Sequence, residues 1–180
     1  AASRRLRELV HMTGFPITST LMGLGAYPAS GKQWLGMLGM HGTYEANNAM
    51  HDCDVMVAIG ARFDDRVTGR LDAFAPTSRK IHIDIDASSI GKNVRADIGI
   101  VGDAASVLED LIAAWKGRNL SNSKAAMKDW WTEIDGWRAR DSFRYRPDAN
   151  LIKPQHAIQR LYELTKGHDT YITTEVGQHQ

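Results

Sequence analysis

The sequence has a single cysteine, Cys53. No internal disulfide can form, and no activating pattern surrounds the thiol, so the plain reading is a small residue packed beside a strand. A cytosolic or organelle-matrix setting follows from that cysteine usage. The charge has no excess of either sign: 22 Lys and Arg face 21 Asp and Glu, a net of +1, which gives no argument for nucleic acid or an anionic membrane surface. No apolar run is long enough to span a bilayer, and no signal peptide is visible. Also missing are a Gly-x-Gly-x-x-Gly fingerprint, a nucleophile elbow, a Ser-His-Asp context and a His/Cys spacing suited to zinc, so no metal ligands are assigned. Nothing resembles a self-sufficient catalytic apparatus.

What remains is an ordinary globular composition, 43% hydrophobic and 24% charged over 180 residues, enough for one domain with a real core or one domain plus an appended piece. Both ends look cut. The chain opens already helical in pattern and closes on Tyr171–Val176, which reads as a strand running into a polar turn. The expectation is a segment of a longer protein.

Periodicity predicts a helix over 4–13, with Leu6, Leu9, Val10 and Met12 on one stripe and Gly14 ending it. Pro16–Leu21 is β-rich, and Trp34–Gly39 is a short apolar run broken by glycines. A helix over 43–52 leads into Val55–Ile59, which reads as a buried strand. Lys80–Asp86 alternates as a strand does, Ile98–Gly102 is another short strand, and Asp103 caps a helix over 104–116. This order favours an α/β layer sandwich with a mainly parallel sheet. A linker at 119–123 precedes a helix over 124–140 carrying Trp130, Trp131 and Trp137. An aromatic binding platform is one reading of these tryptophans, and a docking face against another domain or subunit is the favoured one. The last helix starts at Lys153-Pro154, with Ala157, Ile158, Leu161 and Leu164 as its inner face.

The chemistry concentrates in the turns that follow the apolar runs. Gly60-Ala61-Arg62-Phe63-Asp64-Asp65-Arg66 puts cations and carboxylates beyond the end of a strand, where an open parallel sheet binds ligands. Thr20–Gly23, Leu38–Gly42 and Asp84–Ile85 are expected at the same crevice, with glycines that let backbone N–H groups reach phosphate oxygens. The plainer alternatives are a surface ion network joining Arg62 and Arg66 to Asp64, Asp65 or Asp72, packing glycines, and a simple helix cap at Asp103.

Taken together, Thr18–Gly25, Leu38–Gly42, Gly60–Gly69, His82–Asp86 and Val176–Gln180 resemble the catalytic large subunits of the acetohydroxyacid (acetolactate) synthase family. The resemblance covers nearly the whole chain. It implies a thiamine-diphosphate and Mg2+ enzyme of three α/β domains that joins a two-carbon unit from pyruvate to a second 2-oxo acid, in branched-chain amino acid synthesis. Residues 1–118 would be a central, Rossmann-like (DHS-like) FAD-binding domain without its first, glycine-rich strand. Residues 119–150 would be linker and helix, and 151–180 the start of the thiamine-diphosphate domain.

Carried over by motif, Thr20, Leu21, Met22, Gly23, Leu38, Gly39, Met40, His41, Gly60, Ala61, Arg62, Phe63, Asp64, Asp84, Ile85, Asp103 and Ala104 would contact FAD. Asp65 and Arg66 would lie at the substrate channel, and Gln178 and His179 at the thiamine diphosphate. The resemblance further implies a homo-oligomer with a small regulatory subunit, no nucleic acid or membrane partner, and a cytoplasmic or organelle-matrix location. The activating glutamate and the magnesium ligands would lie outside this stretch, so the segment alone is expected to be inactive. A glyoxylate carboligase type enzyme and an NAD-binding Rossmann-like module are the competing readings.

Overall fold

The computed structural model describes residues 1–118, 123–174 and 177. Helix α1 (Ala2–Thr13) ends where Gly14 turns left-handed at φ 78° and its N–H bonds to the Val10 carbonyl, as a glycine cap does. Strand β1 (Ile17–Ser19) pairs in parallel with β2 (Trp34–Met37). Glycines interrupt the alternation over 34–39, so the sequence pattern predicts no strand there. The structure explains Gly36: a Cβ there would strike the Thr43 side chain, and the backbone sits at φ 106°. Glycine inside this strand marks a close approach, with Thr43 Oγ1 donating to the Leu35 carbonyl at 2.6 Å. The same hydroxyl accepts from Ala46 N at 3.1 Å and so starts α2 (Tyr44–Asp52).

Strands β3 (Val55–Ile59), β4 (Arg79–Asp84) and β5 (Ile98–Val101) form a second parallel sheet in that order. Val55 and Val57 are exposed, so β3 is not the fully buried strand its apolar run suggests. It lies at the edge of its sheet. Between β3 and β4 runs α3 (Asp65–Thr68), and β5 feeds α4 (Ala104–Gly117). Helices α1 and α4 pack together, joined by Arg5 to Glu109 at 2.7 Å, Lys116 to Glu8 at 2.9 Å, and Phe15 edge-on to Trp115. The Lys116 ammonium holds the Glu8 carboxyl below its ordinary range. Such exposed pairs are screened by solvent and add little, so the apolar stripe holds α4 down, through buried Leu108 and Ile112.

The expected single helix over 124–140 is two, α5 (Ser123–Ala126) and α6 (Lys128–Arg138). Ile134 is buried with Leu35, Ala46 and Ala49, and Trp130, Trp131 and Trp137 close over them. Trp131 Nε1 donates to the Gly14 carbonyl at 2.9 Å, and the Arg138 guanidinium donates to the carbonyls of Lys32 and Trp34. The tryptophans therefore do dock, but onto α2 and β2 of the same compact unit, Ala1–Arg140.

A second unit, Asp141–Gln180, contains α7 (Pro154–Thr165), with proline in its first turn. No residue of α7 is buried, and Tyr171–Thr174 adopt no strand. The expected inner face of Ile158, Leu161 and Leu164 is thus open to solvent, and the expected terminal strand is not formed over its described residues. The linker at 119–122 lies outside the described residues. The fold class is α/β with parallel sheets, as the alternation of elements predicted.

Candidate functional site

Parallel strands in register end side by side, so the turns that follow them share one edge. Ile59 of β3 faces Ile83 of β4, and Asp84 faces Val101 of β5. The turns at Gly60, at Asp84-Ile85 and at Asp103-Ala104 consequently sit in a row at the carboxyl edge of this sheet. In the other sheet Ser19 faces Met37, which puts Thr20–Gly23 beside Leu38–His41. The two groups of turns are tied by main chain: Met40 N donates to the Arg66 carbonyl at 2.8 Å.

Each turn has a local cause. Thr20 Oγ1 accepts from Gly23 N at 3.2 Å and caps a 3₁₀ turn over Leu21–Gly23, leaving the Met22 side chain almost fully exposed. Gly39 sits at φ 90°, where a Cβ would run into the Arg66 carbonyl, so only glycine lets the loops touch. Asn47 of α2 clamps that glycine from both sides, accepting from Gly39 N at 2.7 Å and donating to its carbonyl at 3.0 Å. Gly60 stands at φ 63° with open space where a side chain would be, and its N–H bonds to the Ile83 carbonyl. Asp84 accepts from Asp86 N, and Ile85 is exposed. Asp103 Oδ1 accepts from the N–H groups of Ala105 and Ser106, so the plain capping reading of this residue holds.

The arginine–aspartate loop is less self-satisfied than a surface network would be. Arg62 approaches Asp64 only to 3.5 Å and Arg66 approaches Asp65 only to 3.7 Å, and both guanidiniums are largely exposed. Asp72 takes no part. It pairs with Arg70 at 2.6 Å, a bond that lowers the carboxyl's pKa and raises the guanidinium's. Asp64 occupies the N-cap position of α3 but caps nothing, and its Oδ1 is buried without a hydrogen-bond partner. A buried carboxylate oxygen left unpaired is costly and fits a missing donor. Phe63, the residue before it, is buried at φ 52°.

Beside this loop lies a cavity of about 400 Å³ whose walls include Met40, Asn47, Met50, His51, Arg66 and Phe74. Gly39 and Asp65 line it too; sequence reasoning named Gly39, Met40, Asp65 and Arg66 as site residues and missed Asn47, Met50, His51 and Phe74. Asn47 carried a signal: an asparagine inside a helix, where it competes poorly, usually has a specific bond to make. Gln178 and His179 lie outside the described residues. Among the described residues no group of three His, Cys, Asp or Glu side chains is placed to hold a metal ion, and no helix is long and apolar enough to cross a membrane.

Comparison with known proteins agrees with the geometry. Residues 1–111 match the family model described as thiamine pyrophosphate enzyme, central domain. The acetolactate synthase isozyme 3 large subunit of Escherichia coli (strain K12) is 49% identical over 177 residues, 98% of this chain and 31% of that protein. The acetolactate synthase large subunit of Haemophilus influenzae is 47% identical over 178 residues, 99% of this chain and 31% of that protein. The acetolactate synthase of Mycobacterium bovis is 44% identical over 180 residues, 99% of this chain and 29% of its length. The chain spans about three-tenths of the relatives it matches. With its parallel sheets and its match over residues 1–111, the chain belongs to the thiamine pyrophosphate enzyme family and carries the family's central domain.

Proposed function

We propose that this chain is the central part of an acetolactate synthase large subunit. That enzyme would condense pyruvate with a second 2-oxo acid in branched-chain amino acid synthesis, with the central domain holding FAD. The observation that carries the reading is the set of turns at the carboxyl edges of both parallel sheets, linked by the Met40–Arg66 main-chain bond. The identity of 44–49% to acetolactate synthases gives it direction.

The residues fit a flavin dinucleotide on four counts. Gly60 leaves open space where a side chain would block a close approach. Arg62 offers an exposed guanidinium to a diphosphate. Asp64 Oδ1 is a buried acceptor in want of a donor, as a ribose hydroxyl or ring N–H would supply. Exposed Met22, Met40 and Ile85 give apolar surface for a ring system. In this reading FAD is chiefly structural, and thiamine diphosphate with Mg2+ supplies the carbanion chemistry from another domain.

The chain's own residues then have distinct tasks. Thr20–Gly23, Leu38–His41, Gly60–Asp64, Asp84-Ile85 and Asp103-Ala104 bind and orient the dinucleotide. Asp65 and Arg66 face the substrate channel, where Arg66 attracts a 2-oxo acid carboxylate. Gln178 and His179 reach the thiamine diphosphate. Residues 1–118 form the flavin domain, 119–150 linker and helix, and 151–180 the start of the thiamine-diphosphate domain. The whole enzyme is expected to be a homo-oligomer with a small regulatory subunit, located in cytoplasm or an organelle matrix.

The test is to purify the full-length protein that contains this stretch, record its flavin spectrum, and assay acetolactate from pyruvate. A bound flavin together with acetolactate supports the reading. A protein that binds nicotinamide nucleotides and never flavin, or one that makes no acetolactate with both cofactors supplied, overturns it.

A further inference from the structure

Among the described residues only three non-glycine backbones lie at positive φ: Phe63 at 52°, Ala75 at 40° and Asp141 at 53°. Two of them belong to the candidate site. Phe63 precedes the Asp64–Arg66 loop, and Ala75 follows Phe74, which walls the cavity. Left-handed backbone at an aromatic or alanine residue is unfavourable and persists only where the surroundings impose it.

Both residues are met by side chains of a single strand. Lys80 and His82 are two apart on β4 and point to the same face of the sheet. Both are buried. Lys80 Nζ donates to the Ala75 carbonyl at 2.7 Å and to the Ser78 carbonyl at 2.9 Å. The His82 ring stands edge-to-face with Phe63, centroids 5.0 Å apart, while its Nδ1 accepts from Gly91 N at 3.4 Å. Phe63 and Phe74 close the circuit, edge-to-face at 5.8 Å. Burying a lysine amine in order to hold two carbonyls is expensive unless the turn it fixes matters. His82 Nε2 makes no hydrogen bond, so the imidazole is not kept by polar satisfaction alone.

We propose that Lys80 and His82 are positioning residues: one buried face of β4 braces both walls of the site, His82 beneath the Phe63–Arg66 loop and Lys80 beneath the Phe74–Ser78 turn. The functional sense of the brace rests on the flavin-binding reading above. Its mechanical part stands apart from it. Neither side chain lines the cavity: Lys80 acts through the Ala75 and Ser78 carbonyls, and His82 acts through the Phe63 ring.

The experiment compares Lys80→Met, His82→Ala and a control, Leu108→Ala in α4, in the full-length protein. Site-resolved amide hydrogen exchange is read at Met40, Thr68 and Ser78, and FAD affinity is read by flavin fluorescence. His82→Ala speeds exchange at Met40 and Thr68 about tenfold and Lys80→Met does so at Ser78, while amides of α4 keep their rates. Both raise the Kd for FAD about tenfold, and Leu108→Ala at an equal loss of melting temperature does not. Adding Ala75→Gly to Lys80→Met slows Ser78 exchange again, because glycine needs no strap at that φ. Should His82→Ala fail to fold, His82→Gln, which keeps bulk without a ring, carries the same comparison. Acceleration spread evenly over residues 1–140, or equal loss of flavin affinity in the control, overturns the brace. The localised exchange pattern in a protein that binds no flavin upholds the brace and overturns the flavin reading instead.

Discussion

Helices α4 and α7 carry the same kind of apolar stripe and meet opposite fates. In α4, Leu108 and Ile112 are 1% and 5% exposed. In α7, Ile158, Leu161 and Leu164 are 46%, 49% and 66% exposed. Hydrophobic spacing marks the face that a helix would bury. It says nothing about which part of which chain will cover it. The first unit, Ala1–Arg140, supplies its own cover, and α6 shows how: its tryptophans lie on α2 and β2. The second unit leaves the stripe of α7 open.

The strongest way to break this contrast is to cut the two stripes equally. Leu108→Ala is expected to cost about 2–5 kcal/mol, the range for emptying a buried leucine site. Leu161→Ala is expected to stay within about 0.5 kcal/mol in the same chain. Urea unfolding measures both: tryptophan fluorescence reports the first unit, which holds all five tryptophans, and circular dichroism reports α7 of the second. Equal costs would mean that the α7 stripe is covered after all.

Gly39→Ala comes next and asks whether tight packing in the first unit extends to its loops. With φ at 90° and the Arg66 carbonyl in the way, the substitution should cost about 2–4 kcal/mol and part the two loops. A crystal structure or the exchange rate of the Met40 amide would report the parting. Helix starts give a smaller contrast. Asp103→Ala removes two capping bonds and should cost about 1 kcal/mol. Lys153→Ala at the start of α7 removes no side-chain cap and should cost nothing measurable.

Acid gives the mildest separation. Glu8, Asp72, Asp86 and Asp97 all lie in the first unit, and their carboxyl pKa values are lowered, chiefly by bonds from Lys116, Arg70, Ser88 and the Lys80 N–H respectively. A carboxyl with a depressed folded pKa stabilises fully above its ordinary pKa. That contribution is lost as pH falls through the folded value. Urea midpoints read by tryptophan fluorescence should therefore decline below about pH 4, the ordinary carboxylate range. The decline should be gentle, because these groups are solvent-screened. Cys53 moves the other way: burial raises its thiol pKa, so alkylation by iodoacetamide should be slow at pH 8 and quicken only in more alkaline solution.

Much of the architecture was legible because it depends on local rules. Gly14, Thr43 and Asp103 mark helix ends by chemistry that needs only neighbours a few residues away. The parallel sheet, and with it the gathering of turns at one edge, follows from alternation of element types. What escaped the sequence was long-range. Trp34–Met37 became a strand because it pairs with β1, and its glycine makes room for Thr43. Tyr171–Thr174 did not become one, though their pattern suits it, since a strand is made by its pairing partner. In the site, the glycines and the arginine–aspartate loop stood out as residues. The Asn47 clamp and the β4 face beneath the loop did not, because individual side-chain bonds between elements and turns, and the His82–Phe63 ring contact, leave no periodic trace.

The joint between the Met40 and Arg66 turns is made by an amide and a carbonyl, and neither side chain takes part. Evolution can therefore retune the charge, length or polarity displayed at positions 40 and 66 while the hinge between them stays shut. Selectivity and framework are separately adjustable at this seam, and Gly39 is the one position nearby where they are not.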